Sequence, residues 1–174
     1  GMPNVMTFES LKRTMREENL WPQSDIWGQH DYTLNGAQRG ASFNKLIADK
    51  FGQPQSAEVF TTVAQFINYD GYRAMFESGC KYRKGLLLWM SHACWPSMTW
   101  QCYDYYLEPT AAFFGCKKAC EPLHIQYNSS TRNIEVLNIG VGNHKTKAKV
   151  DVYDLTGKLM TSKTEKVKSK DDTT

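Results

Sequence analysis

At 174 residues, with 41% apolar and 13% aromatic side chains, the chain has room for one domain, or for one and part of another. A net charge of +3 is too small to suggest nucleic acid, and nine Lys and Arg against six Asp and Glu after Asn128 account for all of it. No stretch approaches the ~18 apolar residues that read as a membrane span, and five cysteines, an odd number, imply no small disulfide scaffold.

Gly1-Met2 reads as a cloning scar on an internal sequence, and no signal peptide is expected, since a basic start and an apolar core are missing. Phe8 to Met15 predicts a short helix. Glu17 to Tyr32 carries Trp21, Trp27 and Tyr32 among Pro, Gly, Asp and Gln with little periodicity, so it reads as a long aromatic loop, either a packed lid or a ligand platform. After a turn region at Asn35 to Gly40, Ser42 can cap a helix bearing Phe43, Leu46, Ile47 and Phe51, ended by Gly52. A longer helix is expected from Ser56 to Ser78. Val59, Phe60, Val63, Phe66, Ile67, Met75 and Phe76 follow helical spacing there, and Gly71 hints at close packing.

Leu86-Leu87-Leu88-Trp89-Met90 is apolar without alternation and predicts a strand buried on both faces. The chain then turns polar and aromatic at once through Ser91, His92, Trp95, Pro96, Ser97 and Trp100, the change expected at the carboxyl end of a parallel strand, where α/β proteins hold ligands. Pro109 and Thr110 to Cys120 predict the next helix, stopped by Pro122. Helix, strand, loop, helix is the alternation of an α/β fold. After Asn128 the texture becomes all-β: Ile134 to Ile139, Ala148 to Tyr153 and Leu159 to Val167 read as strands, with turns at Gly142-Asn143 and Thr156-Gly157. A domain boundary is therefore expected at Asn128 to Thr131, dividing residues 1–128 from 129–174. Three strands are too few for a sandwich, which needs about seven.

Several constellations imitate chemistry. Asp104 and Glu108 lie four apart, but Glu108 precedes Pro109 at a helix start, where the dipole favours a carboxylate, and Asp104 suits a hydrogen-bonded loop. Glu77 lies four residues from Arg73 and is expected to pair with it. Cys116, Cys120 and His124 are spaced by four, yet Pro122 stops the helix before His124 and no second ligand pair has zinc-finger spacing, so no metal is expected. Cys94 near His92 lacks an Asn or Asp to orient a thiolate pair.

Leu88-Trp89-Met90, Trp95 with Ser97, Gln101 with Tyr103-Asp104, and above all Ala112-Phe-Phe-Gly-Cys-Lys-Lys-Ala119 with Glu121-Pro-Leu-His-Ile-Gln126 resemble the end of the catalytic domain in glycoside hydrolase family 2. The branch is that of β-mannosidases, exo-β-D-glucosaminidases and mannosylglycoprotein endo-β-mannosidases. Upstream, Leu20-Trp21-Pro22, Trp27-Gly28, His30-Asp31-Tyr32, Ala64-Gln65, Asn68-Tyr69 and Arg73 to Glu77 are similar to the same branch.

The resemblance implies an α/β part followed by an all-β part: the carboxyl-terminal end of a (β/α)₈ barrel, then the first strands of an immunoglobulin-like β-sandwich. It implies retaining hydrolysis of terminal β-mannosides or β-glucosaminides by two glutamates, both placed before this chain, so that the isolated chain has no catalytic residue and is inactive. It makes Trp89 the sugar platform at the end of the eighth strand, with Trp95, His92, Trp21 and Asp104 as further substrate contacts. The implied partners are a glycan and the remainder of the barrel, without cofactor, nucleic acid or membrane, and the compartment is left open, a secreted or periplasmic parent enzyme being compatible with the resemblance. Exposed strand edges are expected to make the chain self-associate. Two other readings stand beside this one: a non-catalytic carbohydrate binder using Trp21, Trp27, Trp89 and Trp95, and a structural domain whose aromatics are all core.

Overall fold

A computed structural model describes residues 3–34, 39–78, 85–140 and 142–171. Among them are five α-helices, α1 (Phe8–Thr14), α2 (Asp25–Gln29), α3 (Gly40–Phe51), α4 (Ala57–Glu77) and α5 (Ala111–Ala119), and four strands, β1 (Leu123–Asn128), β2 (Asn133–Asn138), β3 (His144–Tyr153) and β4 (Leu159–Ser169). The chain forms two compact units, the first made of Gly1–Phe76 with Arg83–Ala119 and the second of Glu77–Tyr82 with Cys120–Thr174.

The first unit is built on α4. Its buried residues Ala57, Phe60, Thr61, Ala64, Ile67, Asn68 and Tyr72 recur at three and four, so they share one face. Phe60 is the hub, with ring centroids of Trp21, Trp27 and Tyr32 at 5.8, 5.5 and 5.8 Å. Two buried amides then fix the amino-terminal segment on this face. Asn68 accepts from the Val5 amide at 3.2 Å and donates to the Pro3 carbonyl at 2.8 Å, while Asn4 donates to Thr110 Oγ1 at 3.1 Å and to the Gln101 carbonyl. The entry to α3 is set by Gly40, where a Cβ would lie 2.5 Å from the Thr33 carbonyl oxygen. Ser42, expected as the cap, is inside this helix because the Thr33 and Leu34 carbonyls already accept from the amides of Gly40 and Ala41. The expected loop from Glu17 to Tyr32 contains α2, capped by Ser24, and a 3₁₀ turn at Glu17–Asn19.

Leu86 to Met90 is not a strand. Among the described residues no ladder flanks it, and Leu87 and Trp89 are 101% and 77% exposed. A strand is defined by its neighbours, and here pairing begins only at the last residue of the run: Met90 donates to the Trp100 carbonyl at 3.0 Å, and Ser91 accepts from Cys102 and Tyr103 at 3.1 and 2.9 Å.

The second unit holds two antiparallel hairpins. β1 pairs β2 from Leu123 opposite Asn138 to Asn128 opposite Asn133, and β3 pairs β4 from His144 opposite Ser169 to Tyr153 opposite Leu159. Asn128 Oδ1 accepts from the amides of Ser130 and Thr131 at 3.0 and 3.2 Å and turns the first hairpin, and the division between the two compact units falls at Ala119 and Cys120. The composition shift at Asn128 marked an Asx turn. Asp154 closes the other hairpin, with Gly157 at φ 84° and Oδ1 accepting from Thr156 and Lys158. Asn138 ties the hairpins together, donating to the Gly142 carbonyl at 2.6 Å and to Ser169 Oγ at 3.2 Å.

Candidate functional site

The aromatic loop after Met90 is held as a folded-back segment against the first unit. His30 Nδ1 lies 2.6 Å from the Pro96 carbonyl, the Met98 amide donates to the His30 carbonyl at 2.8 Å, and the Asn4 amide reaches the Met98 and Thr99 carbonyls at 3.3 and 3.2 Å. At the turn after α2, Asp31 adopts φ 62°, a left-handed conformation that Asp tolerates better than most residues. That turns its carboxylate onto the loop. Asp31 Oδ2 accepts from Trp95 Nε1 at 3.1 Å and from Thr99 Oγ1 at 3.4 Å, which orients the Trp95 indole while leaving the side chain 52% exposed.

Trp89 lines a cavity of about 650 Å³ together with Tyr72, Met75, Leu86, Leu87, Leu88 and Trp100. The walls are mainly apolar, and the Tyr72 hydroxyl stays neutral there, its pKa raised chiefly by burial. A flat, exposed indole beside such a recess can stack on an apolar or pyranose face.

The other expected contacts lie elsewhere. Trp21 is half-buried against Phe60 and belongs to the core, because the turn before α2 folds it inward. Asp104 is fully buried, and its Oδ1 accepts from the amides of Tyr106 and Glu108 at 2.9 and 3.0 Å. It closes the Tyr103 to Pro109 loop and has no face for a ligand. His92 is exposed, with Nε2 3.5 Å from the Tyr105 carbonyl. Trp27 is 1% exposed, donating Nε1 to the Asn19 carbonyl at 3.1 Å, so a four-tryptophan platform does not exist. Of the aromatic candidates Trp89 and Trp95 remain exposed, and Asp31, Thr99 and His30 join Trp95. Asp31 was not among the expected contacts, since its partner lies 64 residues away and nothing local announces it.

The remaining constellations resolve into packing and pairing. Glu77, expected to pair with Arg73, has Oε1 2.8 Å from His124 Nε2, and His124 also has Glu121 at 3.8 Å. Cys116 neighbours Cys102 and Tyr72. No helix among the described residues is long and apolar enough to cross a membrane.

The proteins related to this chain, with its exposed pair of indoles, are β-glycosidases: exo-β-D-glucosaminidases, β-mannosidases and a mannosylglycoprotein endo-β-mannosidase. In particular, it is 30% identical over 146 residues to an exo-β-D-glucosaminidase of Streptomyces avermitilis, covering 78% of this chain and 16% of that protein. It is 35% identical over 138 residues to the mannosylglycoprotein endo-β-mannosidase of Lilium longiflorum, covering 76% and 14%. Among solved structures it is similar to the Amycolatopsis orientalis exo-chitosanase, with 27% identity and a TM-score of 0.80 over 97% of this chain and 21% of that one. No protein-family model matches. The chain thus spans about a fifth or less of the length of these relatives.

Proposed function

We propose that this chain is a section of a retaining β-glycosidase of glycoside hydrolase family 2, acting on terminal β-mannosides or β-glucosaminides of oligosaccharides. In this reading residues 1–128 are the closing part of a (β/α)₈ barrel and residues 129–174 are the start of an immunoglobulin-like sandwich. Leu86 to Met90, which forms no strand in this structure, takes the place of the eighth barrel strand only when the neighbouring strands of the whole protein pair with it. The observation that carries the reading is Trp89: a large apolar side chain, 77% exposed beside a cavity, in a chain homologous to β-glycosidases along most of its length.

Trp89 supplies the stacking face for the sugar bound next to the scissile bond, and Trp95, steered by Asp31, forms the adjoining wall with His92. The general acid and the nucleophile, a pair of glutamates in such enzymes, belong to barrel strands outside this chain, so the isolated chain neither protonates the leaving oxygen nor attacks the anomeric carbon. The test has two arms. The isolated chain, assayed with chromogenic β-mannoside, β-glucosaminide and β-galactoside, is expected to show no turnover. The whole gene product is expected to hydrolyse one of the first two, and Trp89→Ala is expected to lower its kcat/KM about fivefold, the equivalent of roughly 1 kcal/mol of stacking. A whole gene product inert on all three substrates overturns the assignment, and an unaffected, folded Trp89→Ala variant overturns the placement of the site.

A further inference from the structure

Cys102 and Cys116 share a small cluster with Tyr72 and Ala112, flanked by Leu88, Tyr103 and Phe113. Cys102 is 5% exposed and fixed at the root of α5, since its carbonyl accepts from both the amide and Oγ1 of Thr110 at 2.9 Å. Cys116 stands on α5 one turn beyond Ala112 and so faces the same cluster. The two side chains pack into the same cluster, and Cys116 draws the Cys102 pKa down through a side-chain hydrogen bond, against the opposing effect of burial. Both sulfurs also bear on Tyr72, whose pKa is raised first by burial and then by the electrostatic effect of the two cysteines. Both are thiols in this structure, fourteen residues apart in sequence, and neither takes part in the glycan site described above.

We propose that Cys102 and Cys116 are a thiol modification site, closing to an intramolecular disulfide when the chain meets a small disulfide oxidant such as oxidised glutathione. Access sets the order of events. Cys116, half-exposed, attacks first: its thiolate adds to one sulfur of the oxidant and expels a glutathione thiolate, leaving a mixed disulfide. The buried Cys102 thiolate then attacks Cys116 Sγ and expels the second glutathione thiolate. Two protein S–H bonds are lost and one S–S bond forms, the oxidant is reduced to two thiols, and the two protons go to them. The other described cysteines are poorer partners. Cys94 and Cys120 are exposed and outside this cluster, and burial raises the Cys120 pKa. Because the Cys102 amide is bonded to the Ser91 carbonyl and Met90 to Trp100, the new bond clamps the base of the aromatic loop to α5.

The chain is incubated folded with oxidised glutathione, quenched with acid, denatured, and its thiols counted. The count is expected to fall from five to three, with a mass loss of two hydrogens and a chymotryptic map joining Cys102 to Cys116. Cys102→Ser is expected to stop at one stable glutathione adduct on Cys116. Cys116→Ala, on the half-exposed helix face and checked for folding by circular dichroism, is expected to keep all four remaining thiols out of intramolecular bonds. A wild-type chain that retains five thiols, carries only stable adducts, or joins Cys116 to Cys80, Cys94 or Cys120 overturns the proposal.

Discussion

Gly115 offers a test in which two physical effects predict opposite signs. It lies in α5, where Gly→Ala alone should stabilise a helix by about 1 kcal/mol. A Cβ there, however, would run into the Tyr69 carbonyl oxygen and stand 3.1 Å from the Arg73 amide nitrogen, both backbone atoms of α4. Backbone cannot rotate away as a side chain can, so the helices must separate. Overpacking of this kind costs about 1–3 kcal/mol, and a rigid obstacle argues for the upper end. The expected net effect of Gly115→Ala is a loss of about 2 kcal/mol. Gly28, in α2, is the internal control: a Cβ there meets nothing within 4 Å, so Gly28→Ala should raise stability by about 0.5–1 kcal/mol. The assay is urea unfolding followed by tryptophan fluorescence. All five tryptophans lie in the first unit, so the signal is confined to the part under test. If Gly115→Ala proves as stable as the parent chain, or more so, the close contact between α4 and α5 does not exist and helix propensity alone decides.

Three further outcomes are expected. Asp104→Ala should lower the stability of the first unit by about 2 kcal/mol in the same urea assay, because the amides of Tyr106 and Glu108 lose a buried carboxylate acceptor. Asp154 is held below its ordinary pKa, first by the Thr156 hydroxyl and then by the amides of Lys158 and Thr156. The turn's preference for the ionised form is therefore present above the ordinary carboxylate range and lost as pH falls through the lower folded value. The amide signals of Thr156 and Lys158 in an NMR titration should shift there and not near neutrality. Finally, Leu87, Trp89, Leu155 and Ile139 are all more than half exposed, and each hairpin has unpaired edges. Sedimentation equilibrium should show self-association at high concentration, and an ideal monomer would count against it.

The helices were legible wherever local signals were complete. α4 was expected over Ser56 to Ser78 and runs Ala57–Glu77, because its apolar spacing and Ser56, which caps it through Oγ to the Val59 amide, are both local. β2, β3 and β4 were legible for the same reason, from alternation and turn residues. α2 was missed: five residues between a Pro and a His carry too few periods to register, and Ser24 was the only local cue. The expected strand at Leu86 to Met90 failed differently. Its composition describes the environment that such a segment requires, and composition cannot supply the neighbouring strands that create a ladder. The Asp31 contact to Trp95 is likewise tertiary, formed where a left-handed residue turns a carboxylate toward a loop 64 positions away.

β1 shows why alternation alone does not assign faces. Leu123-His-Ile-Gln-Tyr-Asn128 alternates with a period of two, the mark of a half-buried strand, yet no strand was expected there. Its polarity is inverted. His124 and Gln126 are buried at 3% and 5%, while Ile125 and Tyr127 are 37% and 58% exposed. The inward row is satisfied by acids: His124 meets Glu77, and Gln126 donates to Glu135 Oε2 at 2.9 Å and to the Glu77 carbonyl at 3.4 Å. These partners offset much of the cost of a buried polar row, since an unpaired buried polar group costs about 1–3 kcal/mol, while His124 Nδ1 has Glu121 only at 3.8 Å. The outward row is apolar and continues across the hairpin, as Ile125 pairs with Val136 and Tyr127 with Ile134 on one face. Glu135 comes from the neighbouring strand and Glu77 from the end of α4, more than forty residues earlier. The inward direction was therefore written in residues outside the strand, and a reading confined to β1 would have placed its apolar row in the core.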